Sequence, residues 1–135
     1  MLKVYVDTCV YLNYFNKETD KLRPLDSFAF DFFSRGWNCH FMLVVSDLVF
    51  EELRGKVSDK DISELLSNFK EKNKLIIVHY DEKDVSKSKR LSKEWKDALH
   101  TIIASREKCD FLVTRNIKHF GTFSSMIDIS HPESI

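Results

Sequence analysis

The sequence predicts a three-layer α/β/α domain built on a parallel sheet of four or five strands. Short apolar runs alternate with helical patterns along the chain, which is typical of α/β proteins. The runs are continuous rather than alternating in polarity, as expected of strands that are covered on both faces. We expect residues 1–135 to form a single domain, because 135 residues is near the commonest domain size and only 3 Gly and 2 Pro interrupt the chain.

Five short apolar segments are the predicted strands. Each is rich in Val, Ile, Leu, Phe or Met, and the last is the weakest of the five. They lie at residues 1–6, 40–45, 74–78, 111–114 and 126–129. Consecutive parallel strands need crossover connections, so we expect helices between them and right-handed crossovers.

Three segments between these strands have helical patterns. An aromatic-rich helix at residues 25–33 should end at Gly36. The other two predicted helices have apolar residues at positions i, i+3, i+4 and i+7, and Asp59 or Asp61 could cap the first of them. Their apolar stripes consist of Ile62, Leu65, Leu66 and Phe69, and of Trp95, Ala98, Leu99, Ile102 and Ile103.

Composition narrows the class of protein. With 43% hydrophobic and 31% charged residues, the chain is typical of folded globular proteins. Its 21 basic and 21 acidic residues balance, so any binding of a polyanion must come from local patches.

No apolar run approaches the roughly 18 residues of a membrane span, and a strand at residue 1 leaves no room for a signal peptide. We expect a cytoplasmic protein with no membrane partner, whose three cysteines are reduced and mostly buried.

Four separated segments place a carboxylate or an amide where an apolar element gives way to a turn or a helix. These segments are VYVDTCV (Asp7), VVSDLVFEEL (Glu51 and Glu52), WKDALH (Asp97) and CDFLVTRNIKHF (Asp110 and Asn116). The carboxyl ends of parallel strands share one edge of a sheet, where ligands bind. Mg²⁺ and Mn²⁺ select carboxylate, carbonyl and water oxygens. The sequence therefore predicts a metal-dependent active site.

Together these segments resemble the PIN-domain nucleases, in particular the compact VapC-like ribonucleases of toxin–antitoxin systems. The resemblance extends over residues 4–120. It depends on order and spacing: a strand that ends in Asp-Thr, a Ser six residues before a Glu-Leu, a Lys-Asp-Ala-Leu-His helix, and Asp-Phe-Leu-Val-Thr-Arg-Asn. It implies a metal-dependent endoribonuclease that leaves 5′-phosphate and 3′-hydroxyl ends, with an antitoxin protein and a second copy of the chain as expected partners.

The resemblance also implies the site residues. The catalytic set is Asp7, Glu52, Asp97 and Asn116, and the first three bind Mg²⁺ or Mn²⁺. Glu52 is preferred to Glu51 because the family's Glu commonly precedes an apolar residue at this offset from the Ser. Asn116 stands where the four-acid version often has Asp, so we expect one ion rather than two.

Further residues surround this predicted set. The hydroxyls of Thr8 and Thr114 could orient the ligands or contact phosphate. A basic stretch before Asp97, which we expect on a helix leading to that residue, could bring a phosphate backbone towards the metal, although a solvated helix face explains it equally well. The possible RNA contacts are Lys89, Arg90, Lys93, Arg115 and Lys118.

Most of these residues also have a purely structural interpretation. Asp7 and Asn116 could be cap or turn residues, Asp97 lies off the apolar stripe of its helix, and Glu51 and Glu52 could form a solvated face. We interpret Asp110 as a turn or capping acid. We also expect His100 and His119 to be packed or hydrogen-bonded rather than general bases.

Two alternative functions follow. An aspartyl phosphohydrolase also begins with a strand that ends in Asp, but it needs a second Asp two residues later, where this chain has Cys9. A PIN-like module that binds RNA or a protein without cutting stays open, because Asn116 removes one acid from the site.

Overall fold

The computed structural model describes residues 1–19 and 22–135. Two helices follow each of the first three strands and one follows the fourth, and a turn of π-helix at Gly36–His40 follows the second helix. The elements are β1 (Leu2–Val6), α1 (Thr8–Asn16), α2 (Leu25–Arg35), β2 (Phe41–Ser46), α3 (Asp47–Leu53), α4 (Asp59–Lys70), β3 (Leu75–Val78), α5 (Glu82–Leu91), α6 (Trp95–Arg106), β4 (Phe111–Val113), α7 (Ile117–Phe120) and β5 (Asp128–Ser130).

All strand pairs in the sheet are parallel, in the order β3-β2-β1-β4-β5. The predicted α/β/α architecture is therefore confirmed, with five strands. Val4 in the central strand pairs with Leu43 on one side and Phe111 on the other. Among the described helices, none combines the length and the apolar character needed to span a membrane.

The core explains the continuous apolar runs in the sequence. Val4, Tyr5 and Val6 are all fully buried, since the central strand has helices on both faces of the sheet. Gly36 is required by close packing rather than by a left-handed turn, because its φ is −62°. A Cβ at this position would lie 2.5 Å from the ring of Phe69.

The structure corrects several local predictions. Ser58 caps α4 by accepting a hydrogen bond from the Asp61 backbone N–H at 3.1 Å, so neither predicted aspartate is the cap. The basic stretch does not lie on one helix leading to Asp97: α5 ends at Leu91, and Ser92 is extended. Cys39 is exposed rather than buried.

Candidate functional site

The site lies at the carboxyl edge of the sheet, where β1, β2 and β4 end next to one another. The backbone N–H of Asp7, directly after β1, donates to the carbonyl of Val113 in β4 at 2.9 Å. Ser46 ends β2 and Thr114 follows β4. Because β1 is the central strand, the residues that follow it contact both neighbours, as expected for this edge of a parallel sheet.

Asp7 is buried, with 8% of its surface exposed. It occupies the N-cap position of α1, but its carboxylate makes no capping hydrogen bond. Instead, Oδ2 accepts from the Thr114 hydroxyl at 2.9 Å and from the Cys9 thiol at 3.0 Å. No described residue donates a hydrogen bond to Oδ1, which lies 3.7 Å from Nε2 of His100. Helix capping therefore does not explain this side chain.

The two adjacent glutamates of α3 have different surroundings. Glu51 is exposed and accepts from the Tyr80 hydroxyl at 2.7 and 3.0 Å. Glu52 Oε1 accepts from the Thr8 hydroxyl at 2.8 Å and contacts His100 Nε2 at 2.5 Å. Burial raises the pKa of Glu52, but the hydrogen bond with His100, the charge of that imidazole and the Thr8 hydroxyl lower it below its ordinary value. The structure thus brings Glu52, not Glu51, beside Asp7.

His100 is the central residue that the sequence interpretation left out of the site. It is buried and hydrogen-bonded, as expected, but its partner is the predicted ligand Glu52. Burial disfavours its charged form, while the hydrogen bond with Glu52 and the charges of three surrounding carboxylates outweigh that effect and raise its pKa. The signal was its spacing: His100 lies three residues after Asp97, and residues at i and i+3 share one side of a helix.

Asp97 is half-buried in the first turn of α6, so it is not simply a solvated acid. Burial and the charge of Asp7 raise the pKa of its carboxyl group. Its Oδ2 lies 3.9 Å from Nδ1 of His119. Asn116 is at the N-cap position of α7 without a capping bond from its side chain, and its Nδ2 lies 3.0 Å from the same His119 nitrogen. His119 thus connects the last two residues of the predicted set.

Whether these residues suit a hard cation depends on their free oxygens. Within residues 1–19 and 22–135, no three His, Cys, Asp or Glu side chains are already arranged as a metal-binding group. The acids instead surround the His100 imidazole. Asp7 Oδ1, Glu52 Oε2 and the Asp97 carboxylate accept no hydrogen bond from any described residue. Carboxylate oxygens of this kind are the ligands that Mg²⁺ and Mn²⁺ select, so the donor chemistry fits the predicted ion.

The predicted RNA contacts have unequal surroundings. Lys89, Arg90, Lys93 and Lys118 are exposed. The side chain of Arg115 is only 10% exposed, because it pairs with Glu133 at 2.7 Å and lies 5.2 Å over the ring of Phe28. This guanidinium is therefore already engaged within the protein. We remove Arg115 from the surface that could contact a phosphate.

Two other features lie away from the cluster. Asp110 accepts from the backbone N–H of Lys3 at 2.8 Å, at the opposite edge of the sheet, so its contact is structural but with β1 rather than with a turn or a helix end. A cavity of about 760 Å³ lies between α1, α2 and α4 and has an aromatic and acidic lining. Its lining includes none of the predicted catalytic residues.

Comparison with known proteins identifies the fold. No family model matches this chain, and no curated protein matches it. Among solved structures, it is similar to a chain in the crystal structure of VapBC2 from Rickettsia felis bound to a DNA fragment from their promoter. The TM-score is 0.61 at 17% identity, over 96% of this chain and 98% of that one. This likeness confirms the PIN-like fold that the sequence resemblance implied.

Proposed function

We propose that this chain is a Mg²⁺- or Mn²⁺-dependent endoribonuclease and acts as the toxin of a toxin–antitoxin pair. One observation carries the proposal. Asp7 and Glu52, from different parts of the chain, both lie within 4 Å of the same His100 nitrogen. Each has one carboxylate oxygen occupied by hydrogen bonds, while the other accepts none from the described residues. Two acids kept partly unsatisfied at one sheet edge favour a cation site over a purely structural network.

Asp7, Glu52 and Asp97 would hold the ion. When bound, a divalent cation neutralises charge on the phosphoryl oxygens and makes water more acidic. The surrounding residues orient the ligands: the Thr114 hydroxyl donates to Asp7 and the Thr8 hydroxyl donates to Glu52. This supports the expected role of both threonines in positioning ligands. We assign Asn116 the orientation of a phosphate or a water through its amide.

RNA is the proposed substrate because exposed cations precede Asp97 in the chain and follow Asn116. Lys89, Arg90 and Lys93 lie at the end of α5 and just after it. Lys96 is close enough to Glu52 for its charge to lower the pKa of that acid. Lys118 lies in α7, the helix that begins at Asn116. Such cations bind a phosphate backbone electrostatically, so the affinity for RNA should fall as salt is added.

The proposed partners follow from the structural neighbour and the sequence resemblance. The neighbour is a VapBC2 complex on promoter DNA, and we infer that a small antitoxin protein likewise binds this chain and restrains it. A homodimer and a cytoplasmic location are proposed from the sequence alone.

A second candidate function is a PIN-like module that binds RNA or protein without cutting. The neutral Asn116 and the lack of a pre-arranged metal group in the described part of the chain favour this alternative.

Cleavage of single-stranded RNA oligonucleotides in Mn²⁺ tests the proposal, with EDTA to remove the ion. Glu52→Gln should abolish cleavage, because it removes a charged ligand while keeping the size of the side chain. Glu51→Gln is the matched control: it is adjacent, but it faces Tyr80 and should retain activity. Activity that survives EDTA, or equal loss in both variants, contradicts the metal site. Binding of RNA without any cleavage supports the second candidate.

A further inference from the structure

The hydrogen bonds to Glu52 are strongly one-sided. Oε1 accepts two hydrogen bonds, one from the Thr8 hydroxyl at 2.8 Å and one from Nε2 of His100 at 2.5 Å. Oε2 receives none from the described residues. Two donors on one oxygen restrict rotation of the carboxylate about its last torsion, which is otherwise broad. The oxygen left over therefore has a defined direction.

His100 is itself held rigidly. It is 1% exposed, and its Nδ1 lies 2.6 Å from the Tyr5 hydroxyl, which in turn lies 2.7 Å from the Ser46 hydroxyl. Ser46 caps α3 by accepting from the backbone N–H of Val49 at 3.4 Å. The network thus starts at the first turn of α3, passes through β1 and α6, and returns to Glu52 near the end of α3.

The direction of the critical hydrogen bond does not depend on the charge of the imidazole. Glu52 is an ionised acceptor, so the proton between the two groups belongs to Nε2 of His100. In the neutral ring, Nδ1 then accepts from the Tyr5 hydroxyl. In the charged ring, Nδ1 donates to Tyr5, whose hydroxyl can donate to Ser46. Nε2 donates to Glu52 in both forms.

We propose that His100 is a positioning residue, which fixes the Glu52 carboxylate so that Oε2 is directed towards the cation, and that Tyr5 and Ser46 set the orientation of its ring. The inference rests on the proposed function for the role of Glu52 as a ligand. It adds a residue that does not touch the ion but determines the geometry of one that does. Hydrogen-bonded partners behind metal ligands typically affect metal affinity in this way.

The wild-type protein provides the first test. Long-range ¹H–¹⁵N NMR of the imidazole groups should show a protonated Nε2 on His100, protected from exchange with solvent. The signal should persist when Mg²⁺ is added, because His100 and the ion would contact different oxygens of Glu52. An unprotonated Nε2, or loss of the protected proton on addition of Mg²⁺, overturns the proposal. The second result would mean that the imidazole only replaces the ion.

Two variants then separate positioning from simple packing. The amide nitrogen of Gln matches the place of imidazole Nε2, whereas that of Asn matches Nδ1. His100→Gln should keep the affinity for Mn²⁺ within about threefold, while His100→Asn should lose about 10–100-fold. Calorimetric titration of Mn²⁺ measures both, at a temperature where each variant is folded. Equal affinity in the two variants contradicts a positioning role.

Tyr5→Phe gives an independent measurement if neither histidine variant folds. It removes only the hydroxyl behind His100, and Mn²⁺ affinity should fall while the hydrogen bond between Ser46 and α3 remains. An unchanged affinity counts against the role of Tyr5 in the network. Glu52→Gln distinguishes a failure of the proposed ligand set from a failure of the positioning role alone. If this change leaves Mn²⁺ binding intact, the proposed ligand set is wrong; if it weakens binding but His100→Asn does not, only the positioning role is wrong.

Discussion

Replacing Asp7 with Asn should remove most of the response of the protein to Mn²⁺ while preserving its fold. The amide has the shape of the carboxylate and can still accept the hydrogen bond from Thr114. What it loses is a negative charge beside two other acids, one of which, Asp97, already has its pKa raised by burial and by Asp7. The metal-free variant should therefore melt near the wild-type temperature, and the difference should emerge only when the ion is added.

The expected size of the stabilisation by Mn²⁺ follows from the linkage between ion binding and folding. An ion present at about 100 times its dissociation constant stabilises the folded state by about 2.7 kcal/mol. For a domain of this size, that raises the melting temperature by roughly 10 °C. Loss of a ligand should cost at least about 100-fold in affinity, the upper value for a partner behind a ligand. At the same Mn²⁺ concentration, the variant should then gain only about 0.4 kcal/mol, or roughly 1 °C.

Differential scanning fluorimetry across a Mn²⁺ titration measures this difference. Asp110→Asn is the matched control, because it neutralises an acid at the opposite edge of the sheet and should keep the full response. Equal shifts in the wild type and the Asp7 variant would refute the assignment of Asp7 as a ligand. A larger loss in the Asp110 variant would show that the site lies at the wrong edge.

Three further predictions concern the metal-free protein. Gly36→Ala should lower the free energy of unfolding by about 1–3 kcal/mol in urea, because its Cβ would lie 2.5 Å from the Phe69 ring. Iodoacetamide at pH 8 should label the exposed Cys39 first. Burial and a neighbouring carboxylate raise the pKa of Cys9 to about 12, so peptide mapping should find the Cys9 thiol unmodified. Asp97→Asn should raise the metal-free melting temperature at pH 7. The pKa of Asp97 is raised in the folded protein, so its charged carboxylate lowers stability at that pH. In the wild type, this loss of stability should disappear as the pH falls through that pKa.

The fold was largely predictable because its signals are local. Continuous apolar runs mark buried parallel strands, and each predicted strand lies within a few residues of an observed one. The break between α5 and α6 was not predictable, because Ser92 leaves the helical conformation without a Gly or Pro signal. The cap of α4 was misplaced because Ser58, Asp59 and Asp61 all precede the apolar stripe, and each has a side-chain oxygen that can accept the capping bond.

The approach of Asp7, Glu52 and Asp97 to one another was predictable from the sequence, whereas the hydrogen bonds that hold these acids were not. Thr8 follows Asp7 in the chain yet donates to Glu52, and Thr114 donates to Asp7 across the boundary between β1 and β4. These hydrogen-bond pairings depend on the order of the strands in the sheet, which cannot be read directly from the sequence. The contact between His100 and Glu52 was hidden for the same reason: a packed histidine is the commoner case, and only the 2.5 Å distance from Nε2 to Glu52 Oε1 separates the two interpretations. A buried histidine three residues after a predicted metal ligand should therefore be tested as a positioning group before it is assigned to the core.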